Sequence, residues 1–456
     1  MPAREAVRPA ARRLFGTDGV RGVAGELLTA DLALRLGSAA TLEVGGERPR
    51  VLVIRDTRES GEMLESALAA GIAAAGGDVL LGGILSTPAA PLLIERYQLD
   101  LAAVISASHN SFEDNGIKFF GRDSFKLLDA TEAAIEARLD ARVVGPPSRI
   151  GRVRAMHGTR EDYLRALHER FAGLDLSGRS VVLDCANGAT YRAAPEIFRR
   201  LGATVTVLAD APDGRNINDG CGSTHMDGLV ATVRDGAHDV GFAFDGDGDR
   251  MLAVDRDGAI VDGDELIALA ALHMRSQDRL PGAGVVVTVM TNFGFHTALR
   301  DAGIDVFATQ VGDRYVLEAL RERGWALGGE QSGHIIDMGF VPSGDGIASA
   351  LLTLEALAGR DLAARDVMRK LPQRLINVRV ADRDAAMAST ELMAAAAREA
   401  ATLEGRGRVL VRPSGTEQLV RVMVEAPTEE ETDTVCTRLV AVVSNGEAAR
   451  PDLTAS

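Results

Sequence analysis

The chain has 456 residues, of which 46% are hydrophobic, 25% charged and 4% aromatic, and its formal net charge is −15. This length and composition predict a soluble globular protein of three or four domains. The negative charge argues against broad electrostatic binding to nucleic acid or to an anionic membrane, and the few aromatic residues argue against a surface on which bases stack.

The N-terminal segment and the cysteines predict where the protein resides. Residues up to Arg13 lack the apolar core of a secretory signal. Residues 79–94 form the longest uncharged hydrophobic run, but two prolines interrupt it and it is too short to cross a bilayer. The cysteines are odd in number and far apart, as expected in a reducing compartment, and they are Cys185, Cys221 and Cys436. We therefore predict a cytoplasmic protein.

In chain order, three segments repeat one layout. Each opens with a β-rich run, at residues 51–54, 181–183 and 285–289. A helical pattern follows and ends at a glycine turn that leads into a second strand, at residues 76–80, 201–205 and 302–306. Each segment closes on a short strand with a polar tip, at residues 106–110, 245–250 and 328–334.

Strands that alternate with helices predict βαβ units and mostly parallel sheets with right-handed crossovers. In such sheets, ligands bind beyond the carboxyl ends of the strands. All three polar tips lie at such ends. The repeat therefore predicts three α/β domains whose tips face one shared cleft.

After about residue 370 the layout changes. Residues 375–380 predict a strand, and residues 385–403 predict an alanine-rich helix. Two further strands are predicted at residues 407–411 and 419–424. This order indicates a small α+β domain, and the polar tail from Asn445 is expected to fray.

Asp245, Asp247 and Asp249 follow an apolar run, and a glycine separates each from the next. On an extended segment this spacing puts all three carboxylates on one face, and the glycines let the backbone bend until they converge. Such a cluster favours a bound cation, and its few ligands favour Mg²⁺ with positions open to water or a phosphate. An EF-hand calcium loop is excluded because Arg250 and Arg256 stand where it needs Gly and Glu. A solvated acidic turn is the alternative.

Ser108 lies at the polar tip of the first segment. Taken alone, a serine at a strand end is usually a cap or turn residue. His109 is not expected to act as its base, because neighbouring side chains of an extended segment point apart. Beside the aspartates, however, a phosphorylated Ser108 would offer oxygens that Mg²⁺ could coordinate. Lys118 could then steady a transferring phosphoryl group, and its alternative is a solvated surface lysine.

Three further groups of residues have chemical potential. An anion cradle is predicted from arginine, hydroxyl and glycine, with a plain turn as the equal alternative, at Arg412, Ser414, Gly415, Thr416 and Arg421. Glu330 and Ser332 alternate on the third tip, so both could face a sugar. Arg21 lies in a glycine-punctuated loop, which alone is a weak signal.

Five segments now combine into one pattern, at residues 15–22, 106–110, 245–250, 329–334 and 412–417. Their order resembles that of the α-D-phosphohexomutase superfamily, from residue 14 to about residue 445. The resemblance implies an α/β fold of three tandem similar domains with mostly parallel sheets, plus a smaller C-terminal α+β domain around one central cleft. The predicted boundaries are 1–152 (phosphoserine), 153–255 (metal), 256–370 (sugar) and 371–456 (phosphate).

The resemblance also implies a role for each site residue. Ser108 would be the phosphoserine, and the three aspartates would hold Mg²⁺ beside it. The groups assisting transfer would be Arg250, Lys118 and Arg21, and His334 would close the sugar loop and help to handle protons. Sugar hydroxyls would contact Glu330 and Ser332. The phosphate that is not transferred would be gripped by Arg412, Ser414, Gly415, Thr416 and Arg421.

Gln331 and residues 311–316 resemble the branch of the superfamily that acts on glucosamine phosphates. This implies a mutase of amino-sugar metabolism, supplying cell-wall precursors, with a small phosphosugar as its partner. It would interconvert glucosamine 6-phosphate and glucosamine 1-phosphate through a 1,6-bisphosphate, primed by a hexose 1,6-bisphosphate, with a homodimer as one expected assembly. The alternatives are a mutase of neutral hexose phosphates, a phosphatase and a non-catalytic phosphosugar-binding protein.

Overall fold

The computed structural model describes residues 14–16, 18–139, 150–414 and 417–445. Within this part, the chain forms two compact units. One consists of the described residues up to Val289 with Asp305–Arg365, and the other of Met290–Ile304 with the described residues from Asp366 onward. Each unit is described by itself below. The predicted signal-free N-terminus and most of the predicted frayed tail lie outside the described residues.

The first α/β region holds a seven-stranded sheet. Its elements are β1 (Phe15–Gly16), β2 (Gly19–Val23), α1 (Ala30–Val44), β3 (Arg50–Arg55), α2 (Ser60–Ala74), β4 (Asp78–Ile84), α3 (Ala89–Tyr97), β5 (Leu101–Ile105), β6 (Asp114–Gly121), α4 (Asp129–Leu139) and β7 (Val153–Ala155). The strand order is β1-β2-β6-β5-β3-β4-β7. The central strands β3 and β5 are continuous apolar runs because both faces of the sheet are covered. Strand β7 joins this sheet although it lies beyond the predicted boundary at residue 152.

The second α/β region holds a five-stranded sheet. Its elements are α5 (Thr159–Arg170), β8 (Ser180–Asp184), α6 (Ala193–Arg200), β9 (Thr204–Leu208), α7 (Asp227–Asp235), β10 (Val240–Phe244), β11 (Met251–Asp255) and β12 (Ile260–Val261). The strand order is β12-β11-β10-β8-β9.

The third α/β region holds a four-stranded sheet. Its elements are α8 (Gly263–Ser276), β13 (Gly284–Thr288), β14 (Asp305–Thr309), α10 (Asp313–Arg323), β15 (Leu327–Gly329), β16 (Ile335–Asp337) and α11 (Gly346–Leu357). Helix α9 (Phe293–Asp301) lies between β13 and β14 in the chain but belongs to the second compact unit. The strand order is β14-β13-β15-β16. Helix α11 is apolar on nearly every side and is buried along its length.

The three sheets share one central arrangement. In each, the first strand pairs in parallel with the second and third strands, giving β4-β3-β5, β9-β8-β10 and β14-β13-β15. The third strand then turns back into an antiparallel partner, β6, β11 or β16. Each predicted polar tip is therefore a loop between two hydrogen-bonded strands, and the predicted three-fold repeat is confirmed.

The C-terminal region is a three-stranded antiparallel sheet with helices. Its elements are β17 (Gln373–Arg379), α12 (Arg383–Met387), α13 (Thr390–Thr402), β18 (Arg408–Pro413), β19 (Leu419–Glu425) and α14 (Glu429–Asn445). The strand order is β17-β19-β18, and alternate valines pack in a separate core with α13 and α14. The predicted α+β character is confirmed. The prediction of one helix over residues 385–403 is wrong, because Ser389 caps a new helix there by accepting from the Leu392 N–H.

The structure confirms the predicted fold class of three similar α/β regions and a smaller C-terminal α+β region. Helix α14 was not predicted. Across the described ranges, no helix combines the length and the apolar character that crossing a membrane requires.

Candidate active site

Three loops, one from each α/β sheet, meet in one place. Ser108 follows β5, and its hydroxyl donates to the Asp245 carboxylate, which follows β10. His334 precedes β16, and its Nδ1 atom lies 3.7 Å from Asp249 Oδ1. The backbone of Met251 also donates to the carbonyl of Gly333 over 3.0 Å. The predicted meeting of the three polar tips is therefore observed.

Two glycines allow the loops to approach so closely. A Cβ atom at Gly246 would lie 2.5 Å from the Ser108 carbonyl oxygen. At Gly333, where φ is +88°, a Cβ atom would lie 2.1 Å from the carbonyl oxygen of Met251. Both positions therefore require a residue without a side chain.

The three aspartates form a buried cluster. One carboxylate oxygen from each of Asp245, Asp247 and Asp249 lies within 4.8 Å of the others. The three carboxylates therefore lie close together, as predicted. The segment that carries them is a turn after β10 rather than an extended segment. The alternative of a solvated acidic turn is wrong, because these side chains are buried.

The donor set fits a divalent metal ion. Asp247 Oδ1 and Asp249 Oδ1 are buried and have no hydrogen-bond partner among the described residues. Burial, Asp249 and Asp247 together raise the pKa of Asp245 well above its ordinary value. A cation held by these carboxylates would balance their charge and coordinate the two oxygens that lack a hydrogen bond. Asp245, Asp247 and Asp249 could thus hold Mg²⁺.

Ser108 is buried and its backbone is left-handed, with φ of 53°. Its N–H donates to Ser106 Oγ over 2.9 Å. The expectation that His109 points away from Ser108 is wrong, because this segment is not extended. His109 Nδ1 lies 3.4 Å from Ser108 Oγ. Burial, Arg250 and Arg21 lower the pKa of His109, although Asp249 and Asp247 act in the opposite direction.

Cations surround the serine and the aspartates. Lys118 Nζ, on β6, lies 2.7 Å from Asp247 Oδ2 and 3.5 Å from Asp249 Oδ2. Burial opposes the charge of Lys118, but Asp18, Asp247 and Asp249 outweigh it and raise the lysine pKa. The alternative of a solvated surface lysine is therefore wrong. The Arg250 N–H donates to Asp245 Oδ1 over 3.1 Å.

Two arginines keep a free donor in this cluster. The Nε atoms of Arg21 and Arg250 are buried without a hydrogen-bond partner among the described residues. Arg21 otherwise pairs with Asp18. A guanidinium with an unused N–H can receive an anion such as a phosphoryl group.

Sequence reasoning missed an ion-pair chain beside this cluster. Lys126 Nζ lies 2.5 Å from Asp18 Oδ1 and also pairs with Asp313. Asp313 Oδ2 in turn lies 3.7 Å from His334 Nε2. Asp18 and Asp313 lie inside sequence motifs noted above, but only their neighbours were singled out there.

The sugar loop is held by its neighbours. Glu330 Oε1 accepts the Gly312 N–H over 3.0 Å, whereas Ser332 is exposed. Gln331 Nε2 donates to Asp262 Oδ2 over 3.1 Å. His334 Nε2 accepts the Gly344 N–H over 3.2 Å, so the neutral ring carries its proton on Nδ1, facing Asp249. Burial opposes the charge of His334, but Asp249 and Asp313 raise its pKa.

In the C-terminal unit, like charges lie side by side. Arg421 is directly opposite both Arg412 and Asn377 on the neighbouring strands. The Nε atoms of both arginines and Asn377 Oδ1 are buried without a hydrogen-bond partner among the described residues. Burial and Arg421 lower the pKa of Arg412. Such a row is destabilising unless an anion binds to it.

The rest of the predicted cradle is only partly described. Ser414 is buried, and its Oγ atom accepts the Glu417 N–H over 3.3 Å. Gly415 and Thr416 lie outside the described residues. Asn377 was missed because its place opposite Arg421 depends on strand register, which the local sequence does not reveal.

Comparison with known families covers nearly the whole chain. Four family models match, phosphoglucomutase/phosphomannomutase alpha/beta/alpha domain I at residues 12–143, domain II at 154–258, domain III at 262–375 and the C-terminal domain at 375–442. These ranges contain all of the site residues described above.

Individual relatives match at similar length. A phosphoglucosamine mutase of Moorella thermoacetica is 51% identical over 443 residues, covering 95% of this chain and 99% of the relative. A phosphoglucosamine mutase of Rhodococcus erythropolis is 50% identical over 426 residues, covering 91% and 95%. The crystal structure of a phosphoglucomutase/phosphomannomutase family protein from Burkholderia thailandensis superposes with a TM-score of 0.80 at 26% identity, covering 95% of this chain and 98% of that one.

Proposed function

The chain belongs to the phosphoglucomutase/phosphomannomutase family and is an enzyme of the mutase class, and from this premise we propose that it interconverts glucosamine 6-phosphate and glucosamine 1-phosphate. One observation carries the proposal. A buried serine hydroxyl donates to one carboxylate of an aspartate trio, in which Asp247 Oδ1 and Asp249 Oδ1 have no hydrogen-bond partner among the described residues, beside a buried lysine. This arrangement suits a serine that carries a phosphoryl group.

In the proposed reaction, phosphorylated Ser108 gives its phosphoryl group to the C1 hydroxyl of glucosamine 6-phosphate. The bond between Ser108 Oγ and phosphorus breaks, and a bond between phosphorus and the sugar oxygen forms. The proton that the sugar hydroxyl loses is balanced by the one that Ser108 Oγ gains. The resulting 1,6-bisphosphate reverses its orientation in the site. Its 6-phosphoryl group is then transferred to Ser108, which leaves glucosamine 1-phosphate.

The residues around Ser108 would place and neutralise the group in transit. Mg²⁺ held by Asp245, Asp247 and Asp249 would stabilise charge on the phosphoryl oxygens. Lys118 keeps its proton and acts through its charge. Arg21 and Arg250 offer their unused Nε–H groups to the same oxygens. A loose phosphoryl-transfer transition state needs such positioning and charge rather than a strong nucleophile.

His334 is the proposed proton handler. Its Nδ1 atom lies near Asp249, and its Nε2 atom near Asp313. These carboxylates favour the charged imidazolium, whereas the Gly344 N–H favours the neutral ring. Opposing contacts of this kind let one group both accept and return a proton.

The C-terminal arginine row is the proposed grip for the phosphate that is not transferred. Arg412 and Arg421 supply charge and unused Nε–H groups, Ser414 a hydroxyl, and Asn377 an amide. Gly415 and Thr416 belong to the same predicted cradle. Because the bisphosphate presents either end of the sugar, one grip that binds any phosphate would serve both half-reactions.

Glu330 and Ser332 are the proposed sugar contacts. Glu330 is fixed through one carboxylate oxygen, which leaves the other to accept a hydroxyl or amine of the sugar. The neutral hexose phosphates are the competing substrates. Under the same proposal, the enzyme is cytoplasmic and is primed by a hexose 1,6-bisphosphate. The four predicted domains are kept, with the first boundary moved from residue 152 to follow β7, because that strand pairs with β4.

The test is Mg²⁺-dependent isomerisation of glucosamine 6-phosphate, primed with a trace of glucose 1,6-bisphosphate and run beside glucose 6-phosphate and mannose 6-phosphate. We expect a strong preference for the amino sugar. Preference for a neutral hexose would overturn the substrate but keep the mechanism. Steady release of inorganic phosphate that no sugar acceptor diminishes would indicate a phosphatase instead.

A further inference from the structure

The backbone of the Ser108 loop is gripped at two carbonyl oxygens. The oxygens of Ser108 and Asn110 accept from Arg58 Nη2 over 3.2 and 2.6 Å. The same two oxygens accept from Asn218 Nδ2, over 2.9 Å each. One donor belongs to the first α/β region and the other to the second, so the loop is held from both.

The hydrogen bonds from the first region come from a side chain, Arg58, that is itself held in place. Arg58 is fully buried, and its Nη1 atom lies 2.7 Å from Asp56 Oδ2. Its Nε atom donates to the Asp114 carbonyl over 2.8 Å. Asp56 also accepts from Ser106 Oγ over 2.5 Å, and Ser106 Oγ accepts the Ser108 N–H. These contacts tie the loop to its own sheet.

The grip from the second region depends on Asn218 alone among the side chains in these contacts. Asn218 lies between β9 and α7, is buried, and has a left-handed backbone with φ of 58°. Asparagine adopts this conformation at lower cost than most residues. Its backbone N–H donates to the Ala186 carbonyl over 2.9 Å, which holds the backbone of Asn218 in the second region.

The gripped oxygen lies where the two regions meet. The Ser108 carbonyl is the group that a Cβ atom at Gly246 would strike, and Gly246 stands between two of the metal-site aspartates. Asn218 therefore connects the serine loop to the region that carries the aspartates at the point of closest approach. Removing its amide would leave the Ser108 carbonyl hydrogen-bonded by a side chain of the first region only.

We propose that Asn218 is a positioning residue for phosphoryl transfer, an inference that rests on the proposed function of Ser108. It sets the position of Ser108 Oγ relative to the aspartate trio by holding the carbonyl on the far side of the same residue. Misplacing a reacting group slows transfer more than it weakens binding of metal or sugar.

The test uses Asn218→Asp, which keeps the size and the left-handed tolerance of the residue but sets a carboxylate against two carbonyl oxygens. Asn216→Asp is the matched control, because it makes the same chemical change two residues earlier. Among the residues that the structure describes, the Asn216 side chain hydrogen-bonds only to Asp213 and Ala211 of its own loop. Phosphorylation of dephosphorylated enzyme by glucose 1,6-bisphosphate and Mg²⁺ is followed by intact mass in a single turnover.

We expect Ser108 in Asn218→Asp to be phosphorylated about 10- to 100-fold more slowly, with Mg²⁺ affinity by calorimetry little changed. The melting temperature should fall, because a buried carboxylate then faces two carbonyl oxygens. The control should match the unaltered enzyme. An unimpaired rate in Asn218→Asp would overturn the inference, and so would a rate loss matched by an equal loss of Mg²⁺ affinity.

A second variant covers the case in which Asn218→Asp does not fold. Asn218→Gly keeps the left-handed backbone and removes the amide without adding charge, and the same slowing is expected. The proposed function and the role of Asn218 can be contradicted separately. If the unaltered enzyme gains no phosphate on Ser108, the proposed function is wrong. If it does and both variants keep its rate, only the role of Asn218 is wrong.

Discussion

Two regions of the chain set like charges side by side, and they differ in how those charges are balanced. The aspartate trio is buried and already contacts Lys118, Thr87 and the Arg250 N–H. Arg412 and Arg421 are half-buried, and neither has a carboxylate within salt-bridge distance among the described residues. The first region is thus partly neutralised within the protein, whereas the second is not. Under the proposed function, the site of the chemistry is held in place, and the site that accepts and releases a phosphate keeps its charge available.

The largest effect is expected from Ser108→Ala. Without the hydroxyl, no phosphoserine can form, so turnover should fall below detection while binding of glucosamine 6-phosphate by calorimetry stays within a few-fold. Ser111→Ala, in the same loop but exposed, is the control and should remain active. Full turnover in Ser108→Ala would show that another residue is the nucleophile. The comparison would then fail, because the buried region would not be the site of the chemistry.

Asp247→Asn should lower turnover by about 100-fold and raise the Mg²⁺ concentration for half-maximal rate, because the trio loses one charge and its free oxygen no longer attracts a cation as strongly. The rate is measured across a Mg²⁺ titration. Asp257→Asn, at an exposed turn in the same region, should leave the titration unchanged. An unchanged Mg²⁺ response in Asp247→Asn would place the metal at other residues.

Arg421→Met tests the second region. We expect KM for glucosamine 6-phosphate to rise about 10- to 100-fold, as befits a lost hydrogen bond to a charged group. The free energy of unfolding should increase by about 0.5 kcal/mol, because a repulsive pair is removed. Steady-state kinetics and urea denaturation measure the two effects.

Arg374→Met is the matched control for that pair of effects. Arg374 is exposed on the same sheet and pairs with Asp433, so its loss should leave KM unchanged. A fall in stability for Arg421→Met would show that the arginine row is balanced within the protein, which would erase the contrast with the aspartates.

A third buried ionisable group sharpens the comparison, because Asp345 has no cation partner within the ranges that the structure describes. Burial raises its pKa to about 7, although the Ala348 N–H and the Tyr163 hydroxyl favour the charged form. A carboxyl with a raised folded-state pKa stabilises the protein below its unfolded pKa, near 4, and loses that stabilisation as the pH rises through 7. Between pH 5.5 and 7.5 the loss should be roughly 2 kcal/mol.

Urea denaturation at several pH values checks this prediction. Asp345→Asn should remove the extra pH dependence, because the amide does not titrate, while Tyr163 can still donate to its oxygen. A denaturation profile of Asp345→Asn that keeps the full slope would assign the slope to another group.

Much of the fold could be predicted because short sequence patterns determine its strands and turns. The β-branched runs and glycine turns recur at similar intervals, and the spacing of Asp245, Asp247 and Asp249 already indicates a cation. The roles of the site residues stay predictions. What the sequence could not reveal are contacts between distant segments, such as Thr87 with Asp247 or Asn218 with the Ser108 carbonyl.

Local conformation set a second limit. The left-handed backbone at Ser108 places His109 beside the serine hydroxyl, against the expectation from an extended strand. Similarly, a single hydroxyl at Ser389 ends one helix and begins another within an alanine-rich run that has uniform helix propensity. In both cases one residue outweighs the average tendency of its neighbours.

The three hairpin loops that meet at the site have a consequence for how the protein can change. Each loop joins two strands of one sheet, so both of its ends are anchored whatever residues it carries. The same scaffold is therefore used three times with different contents, which are the Ser108 loop in one copy, the three aspartates in the next and residues 330–334 in the third. Under the proposed function, these supply the nucleophile, the metal ligands and the sugar contacts. Division of labour among repeated parts lets one copy alter its chemistry while the other two keep theirs.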